Sequence, residues 1–245
     1  MRDNVSDELL AEIARRSPAV HCLTNTVVQA LTANMLLAVG AIPSMSSDIS
    51  EVADFVSGAN ALLINLGTLD GNRKSAIESA ISAAKKKDIP WILDPVLIDR
   101  APGRLAYAKE LITRNPALIR GNNGEISALN ANPHTLARET GAIVAVTGVK
   151  DLITDGQSEK TVTGGHELMS RVTGIGCAGT ALLGASLAIA DPSARLEAVA
   201  IGLRLLGDAG ERAANTSNGP GSFAADILDE IYKSSQSSLQ ERKES

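Results

Sequence analysis

Arg171-Val-Thr-Gly174-Ile-Gly176-Cys177-Ala-Gly179-Thr180 runs directly into an apolar stretch at residues 181–190. Glycines let backbone N–H groups approach a ligand closely, and the first N–H groups of the helix that follows have no intrahelical partner. Such a turn is a ready anion site. Gly174-x-Gly176-x-x-Gly179 also matches the dinucleotide fingerprint letter for letter. That fingerprint needs a strand before it, a second strand after the helix, and an acid about 20 positions on. Here Asp191-Pro192-Ser193 and a second helical pattern, residues 196–213, follow instead. No Lys-Ser or Lys-Thr closes a Walker loop. The segment therefore reads as a phosphate loop of another kind, and NAD is rejected. Cys177, at its mouth, is either core filler or the group that acts on the substrate.

Upstream of this segment, short apolar runs alternate with helical patterns. Ala61-Leu-Leu-Ile-Asn-Leu66, Pro90-Trp-Ile-Leu-Asp94, Ala117-Leu-Ile-Arg120 and Ala142-Ile-Val-Ala-Val-Thr147 read as buried strands. Residues 72–87 and 105–114 read as helices, the first ending in Lys85-Lys86-Lys87, which suits a helix C-terminus. Residues 27–39 add a helix with Val28, Leu31, Met35 and Val39 on one face. The alternation predicts an α/β fold with a mainly parallel sheet covered on both sides. Asp155-Gly156, between two short strand patterns, predicts an antiparallel hairpin at the sheet edge. Residues 177–232 read as nearly all helix. The polar residues 233–245 read as a disordered tail, which leaves 1–232 as a single domain.

The 245 residues suffice for one α/β domain with a large core. A net charge of −5 argues against a nucleic-acid surface. No apolar run reaches the roughly 20 residues that span a bilayer. Met1-Arg-Asp-Asn begins no signal-peptide pattern, and two cysteines, Cys22 and Cys177, suit a reducing compartment. The expected location is therefore the cytoplasm, with no membrane partner. Phe55, Trp91, Tyr107, Phe223 and Tyr232 are the only aromatic Phe, Trp and Tyr side chains, so a bound heterocycle is expected to pack between aliphatic groups.

In open parallel sheets the ligand lies beyond the carboxyl ends of the strands. Polar residues there are Asn65 through Gly67-Thr68, Asp94, Arg120 through Asn122, and Thr147, a rim suited to a magnesium-bound triphosphate. Asp94 either orients a hydrated Mg²⁺ or caps the turn at Pro95. Glu125 supplies a second carboxylate or is a first-turn helix acid. Arg120 clamps phosphate or makes a structural ion pair. Thr147 donates to phosphate or caps locally. The three histidines, His21, His134 and His166, lack metal-ligand spacing, and His134 reads as an exposed turn residue. Cys22 reads as buried filler.

Together these residues resemble the hydroxyethylthiazole kinase family of ribokinase-like enzymes, from about Ser17 to about Ile231. The resemblance is carried by Val20-His-Cys-Leu-Thr-Asn25, Thr32-Ala-Asn34 through Gly40-Ala-Ile-Pro-Ser-Met45, Asn65-Leu-Gly67-Thr68, Leu93-Asp94-Pro95-Val96, Ile119-Arg120-Gly121-Asn122-x-x-Glu125, Val146-Thr147-Gly148 and Val172-Thr-Gly174-x-Gly176-Cys177. It implies a ribokinase-like three-layer α/β/α fold. It also implies transfer of the ATP γ-phosphoryl group to the alcohol of 4-methyl-5-(2-hydroxyethyl)thiazole with Mg²⁺, in thiamine biosynthesis or salvage, by a homotrimer. Met45 and Gly174 are implied to contact the thiazole, with Asn25, Gly67 and Thr68 forming its pocket. Arg120, Thr147 and Asn122 fall to ATP, and Asp94 and Glu125 to the metal. Cys177 stands where most ribokinase-like enzymes carry a basic Asp, and it orients the substrate hydroxyl or takes its proton.

Two departures stand out: Leu97-Ile98-Asp99-Arg100 replaces a small, Gly/Ala-rich stretch, and the connection from Glu125 to Ala142 is short. The alternatives are a hydroxymethylpyrimidine or pyridoxal kinase, an ATP-dependent dehydratase, or a non-catalytic nucleotide-binding relative.

Overall fold

The computed structural model of the chain describes residues 4–244. The four apolar runs become β3 (Ala61–Asn65), β4 (Trp91–Asp94), β5 (Leu118–Asn122) and β6 (Ile143–Thr147). Covered on both faces, such strands need no polar alternation. Two further strands were not expected from the sequence pattern, β1 (Ala19–Leu23) and β2 (Ile42–Ser44). β2 carries Pro43 and lies at the sheet edge, where a missing donor is tolerated. Asp155-Gly156 joins β7 (Lys150–Thr154) to β8 (Glu159–Thr163) as the predicted hairpin.

The strand order is β2-β1-β3-β4-β5-β6-β7-β8, with β1 to β6 parallel and the last two antiparallel. The chain leaves β1 toward one edge and returns as β3 on its other side. The gap between β1 and β3 is thus the topological switch point, where ligands of open α/β sheets bind.

Helices α1 (Asn4–Arg16), α2 (Gln29–Ala38), α8 (Ile175–Ile189), α9 (Arg195–Thr216) and α10 (Pro220–Glu244) cover one face. Helices α3 (Val52–Ser57), α4 (Gly71–Lys86), α5 (Pro102–Leu111), α6 (Asn123–Leu129) and α7 (Pro133–Thr140) cover the other. The expected three-layer α/β/α fold is the one observed. α8 is apolar all round because α2 and α9 pack on it from outside while β1, β3 and β4 lie beneath it. That burial fixes the position of its N-terminus.

Two readings need correction. Residues 233–244 are not a disordered tail but the end of α10, which packs on α1 and α9; Ser245 lies outside the described residues. Ser235 and Ser238 are buried, and Ser238 Oγ donates to Asp7 Oδ1 at 2.9 Å. Serine is small enough to bury against a neighbouring helix, so a Ser-rich segment can still pack. His134 is not in a free turn. It lies in the first turn of α7, its Nδ1 2.9 Å from Thr154 Oγ1 and its Nε2 3.3 Å from Glu159, tying α7 to the hairpin.

Candidate active site

Strands β3, β4, β5 and β6 end at Asn65, Asp94, Asn122 and Thr147, and the parallel register sets Asn65 beside Asp94 and Asn122 beside Thr147. The N-terminus of α8 closes over this rim. Gly174 caps it at φ +91°, and a Cβ there would fall 2.6 Å from Val28 Cγ1, so both backbone and space demand glycine. The Ala178 N–H makes the bond to Gly174 O, at 2.8 Å. The N–H groups of Ile175, Gly176 and Cys177 precede it and have no intrahelical acceptor.

Asn65, fully buried, is the hub beneath them. Its Oδ1 accepts from Gly67 N–H at 3.0 Å and from Asn25 Nδ2 at 3.2 Å. That fixes the amide so that Nδ2 donates to Asp94 Oδ2 at 2.9 Å and toward Cys177 Sγ at 3.2 Å. Asn25 Nδ2 lies 3.7 Å from the same sulfur. Gly67 admits no side chain, since a Cβ would lie 2.8 Å from Asn25 Cβ. Thr180, one turn along α8 from Gly176, donates its hydroxyl to Asp94 at 3.0 Å.

Arg120 crosses from β5 to α8 and donates Nη1 to Gly176 O at 3.0 Å. Its Nε is buried with no hydrogen-bond partner among the described residues, an unspent donor beside an anion turn. Asn122 and Glu125 form a capping box at the start of α6: Asn122 Oδ1 accepts Glu125 N–H, and Glu125 Oε2 accepts Asn122 N–H. Glu125 Oε1 also accepts Leu97 N–H at 2.8 Å. The capping role is thus present, and the same carboxylate holds the 97–100 turn. Thr147 donates to Gly121 O at 3.2 Å.

A cleft of about 260 Å³ is lined by Asp94, Val96, Arg120, Asn122, Glu125, Thr147, Gly174, Gly176 and Cys177. It shares Arg120, Thr147 and Gly176 with a cavity of about 790 Å³ that runs outward between the hairpin and α9. Val149, Val162, Leu203 and Leu206 give this cavity an aliphatic wall. Burial raises the Asp94 carboxyl to about 6, opposed by Arg120 and assisted by Glu125. Burial first, and the Asp94 charge second, push the Cys177 thiol up to about 12 against the pull of Asn65, Arg120 and Asn25. The thiol is therefore neutral at pH 7.

Ten of the residues singled out from the sequence meet here: Asn25, Asn65, Gly67, Asp94, Arg120, Asn122, Glu125, Thr147, Gly174 and Cys177. Thr68 is exposed just beyond Gly67 at φ +49°. Met45, half-buried after β2, lines neither cleft. Thr180, and Asp151, which lines the larger cavity, were not foreseen as parts of the site. Thr180 lies inside the quoted glycine segment, at i+4 from Gly176, and that spacing on one helix face was the available signal.

A parallel sheet with an antiparallel edge hairpin and a glycine-opened helix over its rim is the architecture of a ribokinase-like kinase. A ribokinase-like superfamily protein from Enterococcus faecalis V583 superposes on 93% of the chain with a TM-score of 0.70 at 14% identity, a likeness of fold alone. A solved structure of a hydroxyethylthiazole kinase from Pyrococcus horikoshii OT3 matches with a TM-score of 0.89 and 37% identity over 94% of both chains. A hydroxyethylthiazole kinase of Serratia proteamaculans (strain 568) is 44% identical over 250 residues, 94% of each chain. The family model described as the hydroxyethylthiazole kinase family matches residues 10–135 and 130–237. The chain belongs to the hydroxyethylthiazole kinase family and is an enzyme, a kinase. No helix among the described residues is long and apolar enough to cross a membrane.

Proposed function

We propose that the chain transfers the γ-phosphoryl group of ATP to the primary alcohol of 4-methyl-5-(2-hydroxyethyl)thiazole. The observation that carries this is the junction of the two clefts: Arg120, Thr147 and Gly176 border both, directly over the α8 N-terminus and Cys177. The larger cavity takes the nucleoside, with its base against aliphatic side chains. The smaller cleft takes the terminal phosphates. Arg120, Thr147 and Asn122 bind the nucleotide; Asn25, Gly67, Thr68, Met45 and Gly174 frame the thiazole.

Asp94 and Glu125 are the residues that would hold Mg²⁺. Two neighbouring carboxylates on a phosphate cleft suit an ion that keeps water and phosphate oxygens as its other ligands. When bound, it supplies positive charge to the phosphate oxygens.

Phosphoryl transfer asks mainly for positioning and charge stabilisation. The N–H groups of Ile175, Gly176 and Cys177 face the phosphoryl oxygens, and Arg120 adds charge-assisted donors. Cys177, a neutral thiol held by two amides, orients the acceptor hydroxyl rather than serving as a thiolate base. Role and location follow the same reading: a single domain that includes α10 to its end at Glu244, a cytoplasmic homotrimer, and phosphorylation of the thiazole alcohol in thiamine biosynthesis or salvage.

The test is ADP release by the purified chain with ATP and Mg²⁺ against the thiazole alcohol, hydroxymethylpyrimidine and pyridoxal. Turnover with the thiazole alcohol alone is expected. Turnover with either other alcohol, or nucleotide binding without turnover, contradicts the proposal.

A further inference from the structure

Arg73 is out of place by every local rule. It sits in the first turn of α4, where the helix dipole disfavours a cation, and it is 8% exposed. Burial of a guanidinium is costly unless it is fully bonded. Its bonds, among the described residues, go to no carboxylate. Nη1 donates to Gly67 O at 2.9 Å, and Nη2 donates to Asn65 O at 2.9 Å and Leu23 O at 3.1 Å. Asp70 caps the backbone N–H of Arg73 rather than pairing with its side chain. Burial lowers the guanidinium pKa, the Asp70 charge opposing.

These three carbonyls are not arbitrary. Leu23 ends β1 and Asn65 ends β3, so the fork bridges the switch-point gap where two adjacent parallel strands diverge. Two residues past Leu23 is Asn25; Asn65 itself carries the other amide. Both side chains converge on Cys177 Sγ. Places where a chain breaks local rules without local gain are expected at functional sites.

The geometry points to Arg73 as a positioning residue: its fork locks the ends of β1 and β3 so that Asn25 and Asn65 hold the Cys177 side chain against the acceptor. It touches neither substrate. This rests on the proposed transfer to an alcohol, because only then does Cys177 placement govern turnover.

The test compares Arg73→Gln, Arg73→Lys and Ile81→Val, the last a core change on α4 away from the rim. Steady-state constants are read well below each melting temperature, and Cys177 alkylation by N-ethylmaleimide is timed without substrates; Cys22, the other free cysteine, is buried. Arg73→Gln is expected to lose kcat/KM for the alcohol by roughly 10- to 100-fold, as a small misplacement does, with the ATP KM within about twofold. Cys177 alkylation accelerates in step, and Arg73→Lys recovers part of both. Ile81→Val changes neither. Unchanged alkylation and kcat/KM in Arg73→Gln, or equal losses in Ile81→Val, overturn the assignment. A wild-type chain that leaves the alcohol untouched overturns the transfer reading instead, and the alkylation series then decides Arg73 alone.

Discussion

Asn65 Nδ2 lies 3.2 Å from Cys177 Sγ, and the same nitrogen donates to Asp94. One buried amide therefore fixes the spacing between the thiol and the carboxylate. Asn65→Leu keeps the volume and removes every one of these bonds, leaving Asp94 and the Gly67 N–H short of a partner. Unsatisfied buried groups cost about 1–3 kcal/mol each. Urea unfolding is expected to show a loss in that range, with turnover reduced further than stability explains. Wild-type turnover in the folded variant would remove Asn65 from the site.

Arg120→Ala should raise the KM for ATP roughly tenfold or more while changing the KM for the alcohol much less. The estimate is the worth of charge-assisted hydrogen bonds to phosphate, about 1.5–3 kcal/mol. Initial rates with each substrate varied in turn decide it. An unchanged ATP dependence would place Arg120 outside the nucleotide site.

Leu97 stands at φ +57°, where a side chain meets its own backbone. Its N–H bond to Glu125 holds it there. Leu97→Gly should leave unfolding stability equal or higher, because relief of about 1–2 kcal/mol offsets the entropy glycine adds to the unfolded chain. Leu97→Val, branched at Cβ, should lose about 1 kcal/mol or more. Denaturant melts of the pair measure this; equal losses for both would show that the backbone there carries no strain.

The pH dependence of stability has two opposed parts. His21 is fully buried between Ser44 Oγ and Ser46 O, at 2.8 and 2.9 Å, and burial lowers its pKa below 6.5. The unfolded chain then binds the proton first, so stability falls as pH drops below about 6.5. Asp94, raised to about 6 from 3.8, acts the other way: its contribution is lost as pH rises through about 6. Unfolding between pH 7.5 and 5 should therefore flatten on its acid side in His21→Asn. A variant as acid-sensitive as the parent would exclude His21 as a cause.

Much of this was legible in the sequence, for identifiable reasons. β3 to β6 are unbroken apolar runs, and Asp155-Gly156 marks the hairpin. Their polar last residues, from Asn65 to Thr147, then form the rim because the sheet is parallel. β1 escaped because His21 interrupts its apolar run, its ring satisfied by Ser44 and Ser46 only in the fold. β2 is three residues long with a proline, and α10 hides its packed face behind serines. Arg73 was invisible for a different reason. A cation near the start of an amphipathic helix reads as solvated, and only the meeting of β1 and β3 supplies its three carbonyls.

The central claim is that Cys177, at the mouth of the α8 anion turn, orients the acceptor hydroxyl beside the γ-phosphoryl group. Turnover of the thiazole alcohol by Cys177→Asp and Cys177→Ser, each shown to be folded, tests it most directly. The neutral thiol acts here only through hydrogen bonding; serine keeps a neutral hydrogen-bonding group at the same place and aspartate keeps an acceptor, so both variants should retain turnover. A folded but inactive Cys177→Ser alongside an active Cys177→Asp would show that this position must take the proton, and would contradict the account.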